Sequence, residues 1–179
     1  IQIVLKEVCK KVESIKNETK YKVLKFGGTS VANAYSNIKE IVLNELKENI
    51  KIILVLSALS GITNLLFDIS NSIKNKDENK IKKLIEELYN KHIDFINKLL
   101  KTSLKEQAIA AINETINLIN NYRNEGFNLT SKEEKVILAQ GEILATNIYH
   151  LYFLENNIEC SLINALDISL IHISDPTRH

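Results

Sequence analysis

Residues 21 to 30 read Tyr21-Lys22-Val23-Leu24-Lys25-Phe26-Gly27-Gly28-Thr29-Ser30. The apolar run Tyr21 to Phe26 predicts a short strand, and the segment after the glycines has the period of a helix. A strand that delivers a lysine into two glycines and two hydroxyls has the parts of a phosphate-handling turn. Glycines without Cβ let backbone N–H groups approach an anion, and a helix N-terminus adds positive potential. The order differs from that of a P-loop, whose lysine follows its glycines, and no G-x-G-x-x-G occurs. An ordinary strand-to-helix connection would use the same residues, so the turn needs support from elsewhere in the chain.

Downstream, Ile38, Ile41, Val42 and Leu46 form one helical stripe with Glu40, Glu45 and Lys47 off it, which completes a βα unit. Ile52 to Leu56 is a continuous apolar, β-branched run. Such a run suits a strand covered on both faces, and hence a mainly parallel sheet flanked by helices. The fold class is therefore α/β. From about residue 64 to 124 the period is helical, with Ile81, Leu84, Leu88, Phe95 and Leu99 on one face and Ile109, Ile112, Ile116 and Ile119 on another. The stripes are wide and break near Lys101 to Ser103, which predicts antiparallel helices packed on a globular body, as a lid or subdomain, rather than a coiled coil. A further helix is predicted over Lys132 to Glu155, burying Val136, Ile143, Leu144, Ile148, Leu151 and Leu154. Ser131, with Glu134 three positions on, fits a capping box at its start. Ile158 to Ile163 reads as a returning strand.

Two more segments bear on the first turn. Residues 52 to 64 read Ile-Ile-Leu-Val-Leu-Ser-Ala-Leu-Ser-Gly-Ile-Thr-Asn, and residues 133 to 142 read Glu-Glu-Lys-Val-Ile-Leu-Ala-Gln-Gly-Glu. With Val-Leu-Lys-Phe-Gly-Gly-Thr-Ser-Val-Ala-Asn before them, these segments resemble the amino-terminal half of the aspartate kinases, members of the amino-acid kinase family. The resemblance covers roughly residues 21 to 170. It implies a three-layer α/β fold in which residues 21–173 are the amino-terminal portion of a kinase domain carrying the helical insert. The domain would be incomplete. The family's later arginine, its Gly-Gly-Ser-Asp-like loop, the adenine pocket and the regulatory ACT domains have no counterpart here, so the 179 residues alone are expected to have little or no kinase activity.

The activity implied is transfer of the γ-phosphoryl group of ATP, as its Mg²⁺ complex, to the side-chain carboxylate of L-aspartate. This gives 4-phospho-L-aspartate, the first step toward lysine, threonine and methionine. That nucleophile is ionised at neutral pH and needs no general base. The obstacle is repulsion between anions, which calls for a lysine and directed N–H groups rather than a Ser-His-Asp set. On the resemblance, Lys25 is the catalytic cation between carboxylate and phosphoryl oxygens, and Gly27 and Gly28 give close backbone approach to phosphate. Ser57 lies near the phosphates, Thr63 contacts aspartate, Gly61 frees the loop between them, and Glu142 binds the substrate ammonium. Thr29 and Ser30 are secondary candidates, with helix capping as their plainer role; capping is also the plainer role of Thr63. No residue is assigned to metal ligation. A full-length homo-oligomer is implied, and fusion to a homoserine dehydrogenase is left open. Two other readings stay open: a kinase for glutamate, N-acetylglutamate or a nucleoside monophosphate, and a non-enzymatic association module.

Composition narrows the classes. The chain has 179 residues, 45% of them apolar, which is enough for one sizeable core. Net charge is +1 and lysines alternate with glutamates, so no basic stripe points to nucleic acid. No apolar run nears the roughly 18 residues that suggest a membrane span, and the amino terminus lacks the order of a signal peptide. A cytoplasmic protein is expected. Cys9 and Cys160 are far apart and predict free thiols. His92 and His150 fall on helices built for burial and read as packing residues, while His172 and His179 stand apart. Residues 1–20, with Ile3, Val4, Val8, Val12 and Ile15 near helical spacing, are expected to be a leader helix, the end of something preceding, or non-native sequence. Residues 174–179, with the sole proline, are expected to be non-native or the site of a cut.

Overall fold

Tyr21–Phe26 forms strand β1 and Lys51–Leu56 forms strand β2. A computed structural model describes residues 20–47, 50–124 and 129–163, so the readings of residues 1–19 and 164–179 lie outside the described residues. The strands pair in parallel, from Tyr21 opposite Lys51 to Phe26 opposite Leu56. Parallel strands cannot be joined by a tight turn and need a crossover. Here it contains helices α1 (Gly28–Asn33) and α2 (Tyr35–Leu46). Of the stripe expected on α2, Ile38 and Val42 are buried, but Ile41 and Leu46 are 40% and 42% exposed. The packed face is a narrow i, i+4 line.

The helical segment resolves into α3 (Ile62–Lys74), α4 (Glu78–Leu99) and α5 (Leu104–Asn124), followed by α6 (Ser131–Glu155). Among the described residues the architecture is thus mixed α/β, with two parallel strands and six helices. α3 packs on α4 and α6, and α5 packs on the same two, so the four close into a ring. Their buried residues run into the same core as Val31, Ile38 and Leu56. The insert is therefore part of the body of the fold and not a separate subdomain. Ile62, Leu66 and Ile69 are fully buried, and each such side chain contributes about 1.5–3 kcal/mol. Surface ion pairs add about 0–1 kcal/mol each. Lys74 to Glu134 at 2.7 Å and Arg123 to Glu78 therefore trim the register of helices that apolar burial holds together.

Helix ends follow local chemistry. α3 stops where Lys76 takes φ +58°, with Lys76 N–H donating to Ile73 O and Asp77 N–H to Ser72 O, each at 3.0 Å, a Schellman arrangement. The Asp77 side chain then caps α4 through Lys80 N–H. The break expected near Lys101 to Ser103 separates α4 from α5, and Glu155 holds it by accepting the Lys101 and Thr102 amides and the Thr102 hydroxyl. The capping box of α6 is Thr130 with Glu133, one residue before the expected Ser131 and Glu134. Both pairs have the right spacing. Extended Thr130 wins while Glu134 engages Lys74.

α6 packs on α3, α5 and β2, so its burial spreads beyond one stripe. Ile137, Gln140, Gly141, Ala145, Tyr149, Tyr152 and Phe153 are buried besides Leu144, Ile148 and Leu151. Val136 and Ile143 are half-buried, and Leu154 is 40% exposed. The strand expected over 158–163 is not formed among the described residues. Asn157 at φ +57° ends α6, and the Ile158 amide donates to Phe153 O at 2.9 Å. That amide caps the helix instead of entering a ladder.

Candidate active site

Lys25 stands opposite Val55, next to the last rung of the parallel pair. The ladder extends one residue further, Ser57 N–H donating to Phe26 O at 3.1 Å. The glycine turn and the Ser57 loop therefore leave the sheet side by side at the carboxyl ends of the strands, where α/β folds gather ligands. The contact is closest at Gly28, where a Cβ would lie 2.6 Å from Ala58 O and 3.4 Å from Ser60 N. Glycine at 28 is thus required by the neighbouring loop. A Cβ on Gly27 would meet nothing within 4 Å, and the backbone there (φ −77°, ψ 163°) suits any residue. Of the two glycines, only Gly27 faces open space.

Gly27 is the N-cap of α1 and no side chain caps that helix, so Thr29 and Ser30, both exposed, do not serve as its caps. Gly61, at φ +80°, is the N-cap of α3, a left-handed conformation that favours glycine. Thr63 is exposed on the first turn of α3 and does not cap it. Tyr149, from α6, donates its hydroxyl to Val31 O at 2.7 Å and fixes α1 from below.

α6 brings the third segment to the same place. A Cβ on Gly141 would lie 2.9 Å from Ala58 Cβ, 3.1 Å from Ile62 Cγ2 and 3.2 Å from Leu66 Cδ1. Gln140 points into packing, accepting from the Thr115 hydroxyl and donating to Val136 O. Glu142 is half-buried, and desolvation pushes its carboxyl above the usual range while the Lys25 ammonium pulls it back. Lys25 itself is exposed, and no carboxylate among the described residues lies within ion-pair distance of it. A cation and a desolvated carboxylate thus share one field without neutralising each other. Such a pair can take a ligand that carries both signs.

Ala58 is the residue that sequence reasoning missed. It touches Gly28 on one side and Gly141 on the other, and its only signal was small size inside Ser-Ala-Leu-Ser. The remaining candidates lie apart. His92 is fully buried, with Nδ1 2.8 Å from Leu88 O and Nε2 without a partner; desolvation first, against that hydrogen bond, keeps it below the ordinary histidine range. His150 Nδ1 lies 3.2 Å from Cys160 Sγ, whose thiol burial pushes up, the opposite of an activated nucleophile. Cys160 is a free thiol. A groove of about 340 Å³ between α4 and α5, lined by Ile85, Tyr89, Ile116 and Arg123, shares no residue with the site. It is shallow and open, whereas three separate segments converge on the strand ends. No metal-binding group of three or more acidic, histidine or cysteine side chains occurs among the described residues, and no described helix is long and apolar enough to cross a membrane.

Comparison with known proteins bears on the family and the fold. The profile of the Amino acid kinase family matches residues 20–177. The chain is 31% identical over 168 residues to the bifunctional aspartokinase/homoserine dehydrogenase of Buchnera aphidicola subsp. Acyrthosiphon pisum (strain APS), covering 86% of this chain and 19% of that protein. It superposes on E. coli aspartokinase III in complex with lysine and aspartate (T-state) with a TM-score of 0.64 at 22% identity, covering 78% of this chain and 30% of that one. For the same enzyme in complex with aspartate and ADP (R-state) the TM-score is 0.62 at 23% identity, covering 77% and 29%. The chain thus spans about a fifth of the bifunctional relative and under a third of the solved chains. Because the profile runs from the start of β1 past the last described residue, on a fold that solved aspartokinases share, the chain belongs to the amino acid kinase family.

Proposed function

We propose that this chain carries the aspartate-facing and phosphate-facing part of an aspartate kinase, which phosphorylates the side-chain carboxylate of L-aspartate with MgATP. The observation that carries the reading is the convergence of Lys25, Gly27 and Ser57 at adjacent strand ends with Glu142 within the field of Lys25. Aspartate bears one ammonium and two carboxylates, which matches a site offering a desolvated anion beside a free cation. The relatives' names, with aspartate and ADP in their complexes, support the same substrate pair. The bifunctional relative extends the proposal to a parent polypeptide that also carries homoserine dehydrogenase.

In the reaction a carboxylate oxygen attacks the γ-phosphorus, the bond to the β,γ-bridging oxygen breaks, and ADP leaves with the electron pair. No proton need move. Glu142 holds the substrate ammonium and so fixes which end of aspartate faces the phosphate; Thr63 lies one turn of chain from the same loop. Lys25 offsets charge shared by the incoming carboxylate and the transferring phosphoryl oxygens, and its value grows as water is excluded. The open face at Gly27 and the hydroxyl of Ser57 receive phosphate oxygens. Mg²⁺ carried by the nucleotide would offset charge on its phosphates.

The test uses the full-length natural polypeptide in an ADP-release assay, with the acyl phosphate trapped by hydroxylamine. Aspartate-dependent turnover is expected, and glutamate should be a poor acceptor. Lys25→Ala should lower kcat by about 10²–10³, the usual cost of removing one charge-stabilising donor. Glu142→Gln should raise KM for aspartate at least about tenfold, as expected when one partner of a desolvated charge pair is removed. Full activity in Lys25→Ala, or turnover with glutamate and not aspartate, would overturn the proposal.

A further inference from the structure

We infer that Gly141 is a positioning residue for aspartate, and that Ala58 is the stop against which it sets Glu142. The inference rests on the function proposed above. Gly141 lies in the interior of α6, where glycine weakens a helix relative to alanine, and its helical backbone has no need of glycine's freedom. The reason for glycine is contact: an added Cβ would sit 2.9 Å from Ala58 Cβ and within 3.2 Å of Ile62 and Leu66 side-chain atoms. On the opposite side the Ala58 carbonyl lies where a Cβ on Gly28 would come within 2.6 Å. The segment after β2 is therefore clasped between the start of α1 and the middle of α6. Both clasps close on one alanine.

The clasp joins the two halves of the site. Gly28 follows Lys25 by three residues and Gly141 immediately precedes Glu142. Through Ala58, the separation of β1 from α6, and with it that of Lys25 from Glu142, is set by a backbone carbonyl on the Gly28 side and by a Cβ on the Gly141 side, with the Ile62 and Leu66 side chains beside it. Ser57 and the left-handed Gly61 flank the same alanine in sequence. A methyl group at 141 would push α6 off the loop by a few tenths of an ångström or more, carrying Glu142 away from the ammonium it holds. Nucleotide contacts on the Gly27 side would be left largely in place.

Gly141→Ala and Gly141→Ala/Ala58→Gly, made in the full-length natural polypeptide, test this. Circular dichroism and thermal melting establish folding, and KM for aspartate and for ATP are measured separately. Gly141→Ala should raise KM for aspartate about tenfold, of the order expected for a sub-ångström misplacement, with KM for ATP within about twofold. Removing the Ala58 methyl should return KM for aspartate to within about threefold of wild type. A folded Gly141→Ala enzyme with unchanged KM for aspartate, or a double variant without recovery, would overturn the inference and leave the kinase reading standing. A wild-type protein without aspartate-dependent turnover would overturn both. Should Gly141→Ala alone fail to fold, recovery of aspartate-dependent activity in the double variant supports the clasp, and non-recovery overturns it.

Discussion

Replacing Gly28 and Gly27 separately by alanine discriminates between two reasons for a glycine pair. At position 28 the ideal Cβ falls 2.6 Å from the Ala58 carbonyl oxygen. Ordinary contact begins at 3.4 Å, so the two must separate by about 0.8 Å. The obstacle is backbone and cannot rotate aside, which places the cost in the overpacking range of about 1–3 kcal/mol. Alanine returns about 0.4–1 kcal/mol by restricting the unfolded chain. The net expectation is a loss of about 1–2 kcal/mol, or roughly 2–8 °C in Tm for a chain of this size. At position 27 nothing lies within 4 Å and the backbone is extended. There the same entropy gain offsets a cap preference of similar size, and stability should stay within about 0.5 kcal/mol of wild type. Thermal and urea unfolding of both variants reads the difference directly. A Gly28→Ala protein melting within a degree of wild type, or a Gly27→Ala protein losing as much, would refute the packing argument. Turnover supplies a second arm, since a methyl at 27 enters the space assigned to phosphate. Undiminished kcat in Gly27→Ala would remove phosphate from that face.

Three further outcomes follow from the fold. Burial holds the folded-state pKa of His92 below its unfolded value of about 6.5, so the unfolded chain binds the extra proton first. Stability should be full above about pH 7 and decline as pH falls from 6.5 toward the folded pKa, and urea midpoints for His92→Leu should lack that part of the slope. Glu155 is lowered despite a desolvation effect that opposes it, because the Thr102 hydroxyl and the Lys101 and Thr102 amides favour its charged form. Its stabilisation should be present above about pH 4.3, the unfolded value, and vanish as pH falls through the lower folded one. Glu155→Gln should therefore be less stable than wild type at pH 7 and converge with it once the pH lies below the lowered folded-state value. Thr130→Ala should cost about 1 kcal/mol, or roughly 2–4 °C in Tm, through loss of the α6 cap. Ser131→Ala should cost almost nothing, and the reverse ranking would contradict the observed capping box.

Periodicity and local chemistry determined much of this protein in advance. The apolar run Tyr21 to Phe26 and the β-branched run Ile52 to Leu56 located β1 and β2, and the helix pattern between them leaves room only for a crossover and hence parallel pairing. The helical stripes located α4, α5 and α6 to within a few residues, with His92 inside, because alternation of burial repeats at the helix period wherever one face meets a core. Lys25 at a strand end was legible for the same reason. Where several neighbours compete for one element, the local pattern ran out. α6 meets three elements at once, so its buried face is broader than any single stripe, and α2 meets only enough to cover Ile38 and Val42. Thr130 or Ser131 could have capped α6; Thr130 and Glu133 form the box, while Glu134 pairs with Lys74 from α3. Ile158 has a strand's side chain but contributes its amide to a helix end. The site divides along the same line. Residue types and order pointed to a lysine and a glycine pair as candidates, and the family resemblance added Glu142, each within its own short segment. That the two glycines differ, one open and one filled by the Ala58 carbonyl, and that Gly141 closes on the same alanine from the far side, are contacts between segments remote in sequence. Such contacts depend on how close two backbones can come, which is decided only when all the helices are packed.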